Sequence, residues 1–155
     1  MATRIESYHT DRNALLPLFE LADDSLVQVR AYMALGNVLI ARDGDMIVGY
    51  LQIIDTDAAG TLEIKSMAVR ETYQGRGIGR RLVEAAVIHC RNHNVRRLIV
   101  STATADIGNL GFYQRQGFRM YRIVQDAFGP SSGYPEGALI DGIPLRDQVF
   151  LERAL

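Results

Sequence analysis

Gln74-Gly75-Arg76-Gly77-Ile78-Gly79-Arg80-Arg81-Leu82 places glycine at every second position and then runs straight into an amphipathic segment. Glycines so spaced let successive backbone N–H groups turn toward one point with no Cβ atoms in the way. A helix beginning there adds the partial positive charge of its N-terminus, and Arg76, Arg80 and Arg81 supply full charges nearby. The combination suits a phosphate; the plainer reading is a solvated turn with surface arginines. Two familiar phosphate loops do not fit. A P-loop ends in Gly-Lys-Ser/Thr, whereas Gly79 is followed by Arg80-Arg81. A dinucleotide fingerprint needs Gly-x-Gly-x-x-Gly directly after a strand and an acid about 20 residues further on. Here the glycines stand one residue too close, and positions 98 to 102 read Leu-Ile-Val-Ser-Thr.

Upstream of the loop, Asn37 to Arg42, Met46 to Asp55 and Thr61 to Val69 are apolar, β-rich runs separated by turn signals at Asp43-Gly44-Asp45 and Ala58-Ala59-Gly60. They predict three successive antiparallel strands. Ahead of them, Thr3 to Tyr8 reads as a short strand. Thr10 or Asp11 caps a helix carrying Leu15, Leu16, Leu18 and Phe19, and Asp23, Asp24 or Ser25 opens a second helix that ends near Gly36. The helix pair is expected to cover one sheet edge. Downstream, Leu82, Ala86 and Cys90 form one helical stripe flanked by Val83 and Val87. Arg97 to Ala103 reads as a buried strand. Asp106 caps a short helix through Ile107, Leu110 and Tyr113 with Gly117 as its stop, and Phe118 to Gln125 and Ile143 to Glu152 are the last strands. The predicted order is β-α-α-β-β-β-α-β-α-β-β, an α/β (α+β) arrangement with a mixed, mostly antiparallel central sheet flanked by helices.

The 155 residues, nearly half of them apolar, match one domain spanning 1–155 with a core of its own. A net charge of −1 gives no general basic footprint, so no nucleic-acid partner is expected. The longest apolar runs are far short of a membrane span. The N-terminal Met-Ala-Thr-Arg-Ile-Glu lacks the apolar stretch of a secretory leader, so the expectation is a cytoplasmic protein without a membrane partner. Cys90 is the only cysteine, which excludes an internal disulfide, and its place on the helix stripe predicts a core residue. His89 and His93 stand four apart on the same helix, the spacing of a metal pair. No third ligand accompanies them in the sequence, so they are read as helix-end residues and no metal is expected.

The element order and three motifs together resemble the GNAT superfamily of acetyl-CoA-dependent N-acetyltransferases. The family's pyrophosphate loop reads Gln/Arg-x-x-Gly-x-Gly/Ala, and Gln74-Gly75-Arg76-Gly77-Ile78-Gly79 meets every fixed position. Residues Gln74 to Arg80 thereby become the expected pyrophosphate site. Leu62-Glu63-Ile64-Lys65-Ser66-Met67-Ala68-Val69 looks like the family's central strand, whose end binds the pantetheine arm, a role that falls to Met67, Ala68 and Val69. Phe112-Tyr113-Gln114-Arg115-Gln116-Gly117-Phe118 is similar to the family's Tyr-x-x-x-Gly-Phe segment, in which the tyrosine lies near the coenzyme sulfur. One departure stands out: the family often has Asn seven residues before this tyrosine, where this chain has Asp106. Asn109, close by but out of register, remains a further coenzyme candidate.

Acetyl transfer from a thioester to an amine makes its own demands. An alkyl amine has a pKa near ~10, so it arrives as ammonium and must lose a proton before attacking. Some relatives carry a catalytic glutamate at the position of Glu63, which makes it the candidate base. Its alternatives are a chain of ordered water or a structural pairing of Glu63 with a cation across the sheet. Tyr113 is the candidate donor to the leaving thiolate, and a backbone N–H of Ala68 or Val69 is the candidate oxyanion donor. With Cys90 expected in the core, direct attack in a ternary complex is favoured over an acetyl-enzyme. Between the last two strands, Asp126 to Asp147 is long for a hairpin and reads as a lid. Its Asp126, Phe128, Tyr134 and Glu136 are candidates for holding a cationic acceptor such as a polyamine, an aminoglycoside or a basic peptide. The expected function is acetyl transfer from acetyl-CoA to a primary amine of a small molecule or peptide, by a monomer or homodimer. A non-catalytic acyl-CoA sensor and a protein N-terminal or lysine acetyltransferase are the alternatives.

Overall fold

The computed structural model describes residues 3–155, so Met1 and Ala2 of the stretch read for a leader lie outside the described residues. Strand β1 (Arg4–Tyr8) is followed by a 3-10 turn and helices α1 (Leu16–Ala22) and α2 (Leu26–Tyr32). Then come β2 (Asn37–Asp43), β3 (Met46–Asp55), β4 (Thr61–Val69), α3 (Ile78–Asn92), β5 (Arg97–Ala103), α4 (Ile107–Arg115) and β6 (Arg119–Val124). Two short strands, β7 (Leu139–Ile140) and β8 (Ile143–Pro144), precede the last, β9 (Gln148–Ala154). Seven strands form one sheet in the order β1-β2-β3-β4-β5-β9-β6. Every neighbouring pair is antiparallel except β4 with β5, which the α3 crossover makes parallel. The mixed, mostly antiparallel sheet flanked by helices is the architecture expected from the sequence.

The sheet is covered on both faces. The stripe of α3 buries Leu82, Val83, Ala86, Val87 and Cys90 against Leu51, Ile53, Ile64, Leu98 and Val100. On the other face, Leu15, Leu18 and Phe19 with Val29 and Tyr32 pack on Val38, Ile40 and Tyr50. The helix pair therefore lies over the face of β2 to β4 rather than along an edge. The apolar positions of α1 and α2 outnumber what an edge can bury, and Phe19 reaches complete burial beside the Tyr50 ring, 4.3 Å away.

Helix α2 stops at Tyr32, four residues before Gly36. One turn follows, with the Leu35 N–H donating to the Tyr32 carbonyl (2.9 Å), and side chains take the carbonyls at and just past the helix end. Arg12 donates to the carbonyls of Met33 (3.1 Å), Leu35 (2.5 Å) and Gly36 (2.6 Å). The fully buried Gln52 donates to those of Tyr32 (2.7 Å) and Leu35 (2.9 Å). These bonds fix α2 over the sheet, and with it the Tyr32 ring.

The last strand begins at Gln148, not at Ile143. Ile143–Pro144 instead pairs with Leu139–Ile140 in a separate two-stranded ribbon. Pro144 lacks the N–H that a central strand between β5 and β6 must donate, which keeps it out of the sheet. Among the described residues no helix is long and apolar enough to cross a membrane.

Candidate active site

Strand β4 carries a bulge that shapes the centre of the molecule. Gln52 pairs with Ser66 while Ile53 pairs with Ile64, leaving Lys65 as the extra residue. Leu62, Ile64, Met67 and Val69 all join the core on the α3 face, so the alternation skips one position at Lys65-Ser66. Both of these side chains turn to the α2 side: Lys65 Nζ stands 5.1 Å from the Tyr32 ring centroid, and Ser66 Oγ bonds the buried Tyr50 hydroxyl. The β4–β5 ladder ends at Ile64 opposite Val100. Beyond that point Lys65, Ser66 and Met67 on one strand and Ser101, Thr102 and Ala103 on the other line a cavity of about 310 Å³. The facing edges of the two strands hold unspent backbone donors and acceptors, which suits a ligand with amides of its own.

The glycine loop lies beyond one end of this opening. Gly75 (φ +75°) and Gly77 (φ +79°) adopt left-handed backbone, and α3 begins directly after Gly77. The first amide to find an internal acceptor is Arg81, which donates to the Gly77 carbonyl (3.1 Å). Among the described residues, the N–H groups from Gly75 through Arg80 have none. Such a row of free donors at a helix N-terminus is an anion site. Gln74 ties the loop to the end of β4 by donating to the Val69 carbonyl (3.0 Å). Arg76 lies over the Tyr73 ring, and Arg80 stands 3.9 Å from Glu84 one turn on. Gly79 has a different duty: a Cβ there would sit 3.2 Å from Phe112 Cζ, so this glycine lets α3 approach α4.

Helix α4 brings Asp106, Asn109 and Tyr113 to the same cavity. Asp106 caps the helix by accepting from the Asn109 N–H (3.0 Å), and the Asn109 amide reaches toward Thr102 Oγ1 (3.5 Å). The Tyr113 ring is wedged edge-on between Phe112 and Phe118 with only 5% of its surface exposed. Its hydroxyl has no hydrogen-bond partner among the described residues. Burial pushes that hydroxyl's pKa well up, and the Asp106 carboxylate pushes it further, so the group keeps its proton.

The fourth wall comes from the α1–α2 turn and from the segment between β6 and β9. Asp23, Asp24, Gln28 and Tyr32 face Phe128, Ser132 and Tyr134 there. Tyr134 donates to Asp23 Oδ1 (2.6 Å), and Gln28 Nε2 donates to the Ser132 carbonyl (2.9 Å). At Gly133 the loop backbone comes so near Ser25 that a Cβ would collide with its Oγ. The segment is thus stapled across the cavity.

Two of its candidates, Phe128 and Tyr134, line the space; Asp126 and Glu136 do not. Asp126 is exposed and stands 3.8 Å from Arg146, and Glu136 is exposed as well. The carboxylates on the wall are Asp23, Asp24 and Asp106 instead.

Of the coenzyme candidates, Met67, Asn109 and Tyr113 line the cavity, while Ala68 and Val69 continue along β4 toward the loop. Glu63 is not on the cavity wall. It stands in register between Ile54 and Ile99, and burial raises its pKa, with Lys65 offsetting this only in part. It makes no ion pair among the described residues. A carboxyl with a raised folded-state pKa binds its proton more tightly when folded, so stability falls as pH rises from the ordinary carboxylate range through the raised value. Glu63→Gln is therefore expected to raise the melting temperature at neutral pH, with the gain vanishing in acid. Equal gains at both pH values would contradict the burial effect. The same variant tests the base: loss of the acidic limb of the rate profile marks Glu63, and an unchanged limb marks a water relay.

Cys90 is fully buried on the α3 stripe, its thiol pushed up to about 11 by burial, and it lies away from the cavity. His89 and His93 stack at 4.3 Å at the end of α3 and share a second, smaller cavity with His9. Among the described residues no group of three ligands is placed to hold a metal.

The model of the acetyltransferase (GNAT) family matches residues 6–118. An uncharacterized N-acetyltransferase of Bacillus subtilis (strain 168), YvbK, is 32% identical over 148 residues, spanning 96% of this chain and 94% of the relative. A solved Bacillus subtilis acetyltransferase in complex with CoA is 32% identical, with 99% of each chain covered and a TM-score of 0.88. A GNAT family acetyltransferase from Elizabethkingia anophelis with acetyl-CoA bound is 29% identical, with 99% of this chain and 98% of that one covered and a TM-score of 0.89. This chain belongs to the GNAT family of acetyltransferases.

Proposed function

We propose that the protein transfers an acetyl group from acetyl-CoA to the primary amine of a small molecule, by direct attack in a ternary complex. The observation that carries this reading is the cavity itself. It opens where β4 and β5 part, takes in the unpartnered Tyr113 hydroxyl, and is roofed by a stapled segment. Its volume of about 310 Å³ suits a small acceptor better than a polypeptide, which needs an open groove.

The residues present fit acetyl-CoA. The free N–H row from Gly75 to Arg80 meets a pyrophosphate's charge, and the parted strand edges meet the amides of a pantetheine arm. The two similar structures that hold CoA and acetyl-CoA support the same assignment. The thioester supplies the acetyl group and a leaving thiolate. The chain's own part is to orient the amine, accept its proton and donate one at Tyr113 Oη to the sulfur as the C–S bond breaks and the N–C bond forms. Among the described residues no histidine or cysteine lines the cavity to form an acetyl-enzyme.

The test is release of free CoA from acetyl-CoA against panels of small amines and of basic peptides. Turnover with small amines is expected. Coenzyme binding without turnover on any amine would leave a sensor, and turnover with peptides alone would leave a protein-modifying enzyme.

A further inference from the structure

Among the described residues, Lys65 is the one basic residue on the cavity wall. The β4 bulge puts it there, turning two consecutive side chains to the α2 face and setting its ammonium over the Tyr32 ring at 5.1 Å. It makes no ion pair among the described residues. The same tyrosine holds the opposite charge at its other end, for Tyr32 Oη donates to Asp23 Oδ2 (2.9 Å). Asp23 Oδ1 accepts from Tyr134 Oη (2.6 Å) and from the Ser25 N–H (3.0 Å). Three donors hold this carboxylate in a single orientation, and an ionised carboxylate has about four acceptor positions, so capacity remains for a ligand's N–H. The Lys65 cation and the Asp23 anion, set at the two ends of one tyrosine, thus face the same small space, with Asp24 and Asp106 elsewhere on its wall.

A ligand carrying one charge would satisfy only one of them. We propose that the acceptor is a zwitterion of amino-acid type, its carboxylate received by Lys65 and its ammonium by Asp23 before the proton is lost. Phe128, set edge-on to Tyr134 at 5.0 Å, offers an apolar face to the acceptor's side chain. This inference rests on the amine acetylation proposed above and replaces the cationic acceptor expected from Asp126 and Glu136. Those carboxylates lie outside the cavity, and a polyamine, though drawn to Asp23, Asp24 and Asp106, would leave the Lys65 ammonium facing it without an anion.

The proposal is tested with two triads: phenylalanine, its amide and phenethylamine, and leucine, its amide and isoamylamine. The free acids are expected to show the highest kcat/KM, about tenfold or more above their carboxylate-free partners, the scale of one charge-assisted contact. The trend is diagnostic because an amide's amine is less basic and more of it is neutral, which by itself favours the amide. Lys65→Met should bring the acids down to the level of the amides while leaving KM for acetyl-CoA and for the amides in place. Asp23→Asn should raise KM for acids and amides alike. Tyr134→Phe removes the 2.6 Å staple but keeps the carboxylate, and should cost less than Asp23→Asn. An equal cost would make Asp23 a staple only. If amides or simple amines are preferred, or if Lys65→Met keeps the wild-type discrimination, the zwitterion reading fails while amine acetylation stands. If the six are inert and other amines react, it fails likewise. If no amine reacts at all, both fall.

Discussion

Gly77→Val is expected to weaken acetyl-CoA binding by about a hundredfold or more while the protein remains folded. Gly77 sits at φ +79° immediately before α3, in a backbone region that a β-branched residue avoids. Its missing Cβ is not needed for packing, since the nearest atom a Cβ would meet is an Arg80 side-chain nitrogen 3.8 Å away. The substitution therefore acts on loop conformation and on little else. Turning the peptide out of the left-handed region redirects the free N–H groups at the start of α3. Losing two hydrogen bonds to a charged group, at about 1.5–3 kcal/mol each, accounts for the expected change. Gly79→Val is the contrasting control. Its Cβ would press on the Phe112 ring at 3.2 Å, so it should lower the melting temperature by loosening α3 from α4. Unchanged calorimetric affinity in folded Gly77→Val protein would remove the loop from the coenzyme site.

The contrast between these glycines shows where a sequence stops speaking. Three alternate glycines look equivalent as a string, yet two set backbone direction and the third sets a helix–helix distance that only the placed Phe112 reveals. The strands and the α3 stripe were legible because their periods of 2 and 3.6 match the faces they bury. Even the β4 bulge left a trace: Leu62, Ile64, Met67 and Val69 break a two-residue period by one, at the point where Lys65 gains its place on the cavity wall.

On the acceptor side the aromatic pair Phe128 and Tyr134 was legible and the charged residues were not, for two reasons. Counting acids in the segment from Asp126 to Asp147 gives a charge but no direction, and both Asp126 and Glu136 point to solvent. Conversely, Asp23 read as a helix cap, because the tyrosine that holds it lies 111 residues away in sequence. Ile143–Pro144 has the apolar character of a strand start, whereas the missing proline N–H decides its exclusion from the sheet.

Tyr113→Phe is expected to lower turnover by roughly 10²-fold, with coenzyme affinity nearly unchanged. The substitution is clean for a structural reason. The ring packs edge-on against Phe112 at 5.1 Å and Phe118 at 5.7 Å, contacts that phenylalanine keeps. The hydroxyl it removes has no partner among the described residues, so no buried group is left unsatisfied and the melting temperature should hardly move. The hydroxyl's environment also fits a proton donor more than a nucleophile or base. Burial and the Asp106 carboxylate both disfavour the phenolate, so the proton stays on Oη throughout the pH range in which an amine can be acetylated. It follows that Tyr113 should contribute no basic limb to the wild-type rate profile, and that the loss in Tyr113→Phe should be the same at every pH tested. Asp106 sharpens the point: it occupies the position where the family often carries Asn, and its charge opposes a thiolate forming nearby, which makes protonation of the sulfur more urgent here than beside a neutral amide. A good leaving group should be less dependent on that proton. Replacing acetyl-CoA by an acetyl donor whose thiol is more acidic should therefore narrow the gap between wild type and Tyr113→Phe. Wild-type turnover in the variant under conditions where chemistry limits the rate, or a gap that stays constant across donors, would mean that Tyr113 shapes the cavity without moving a proton.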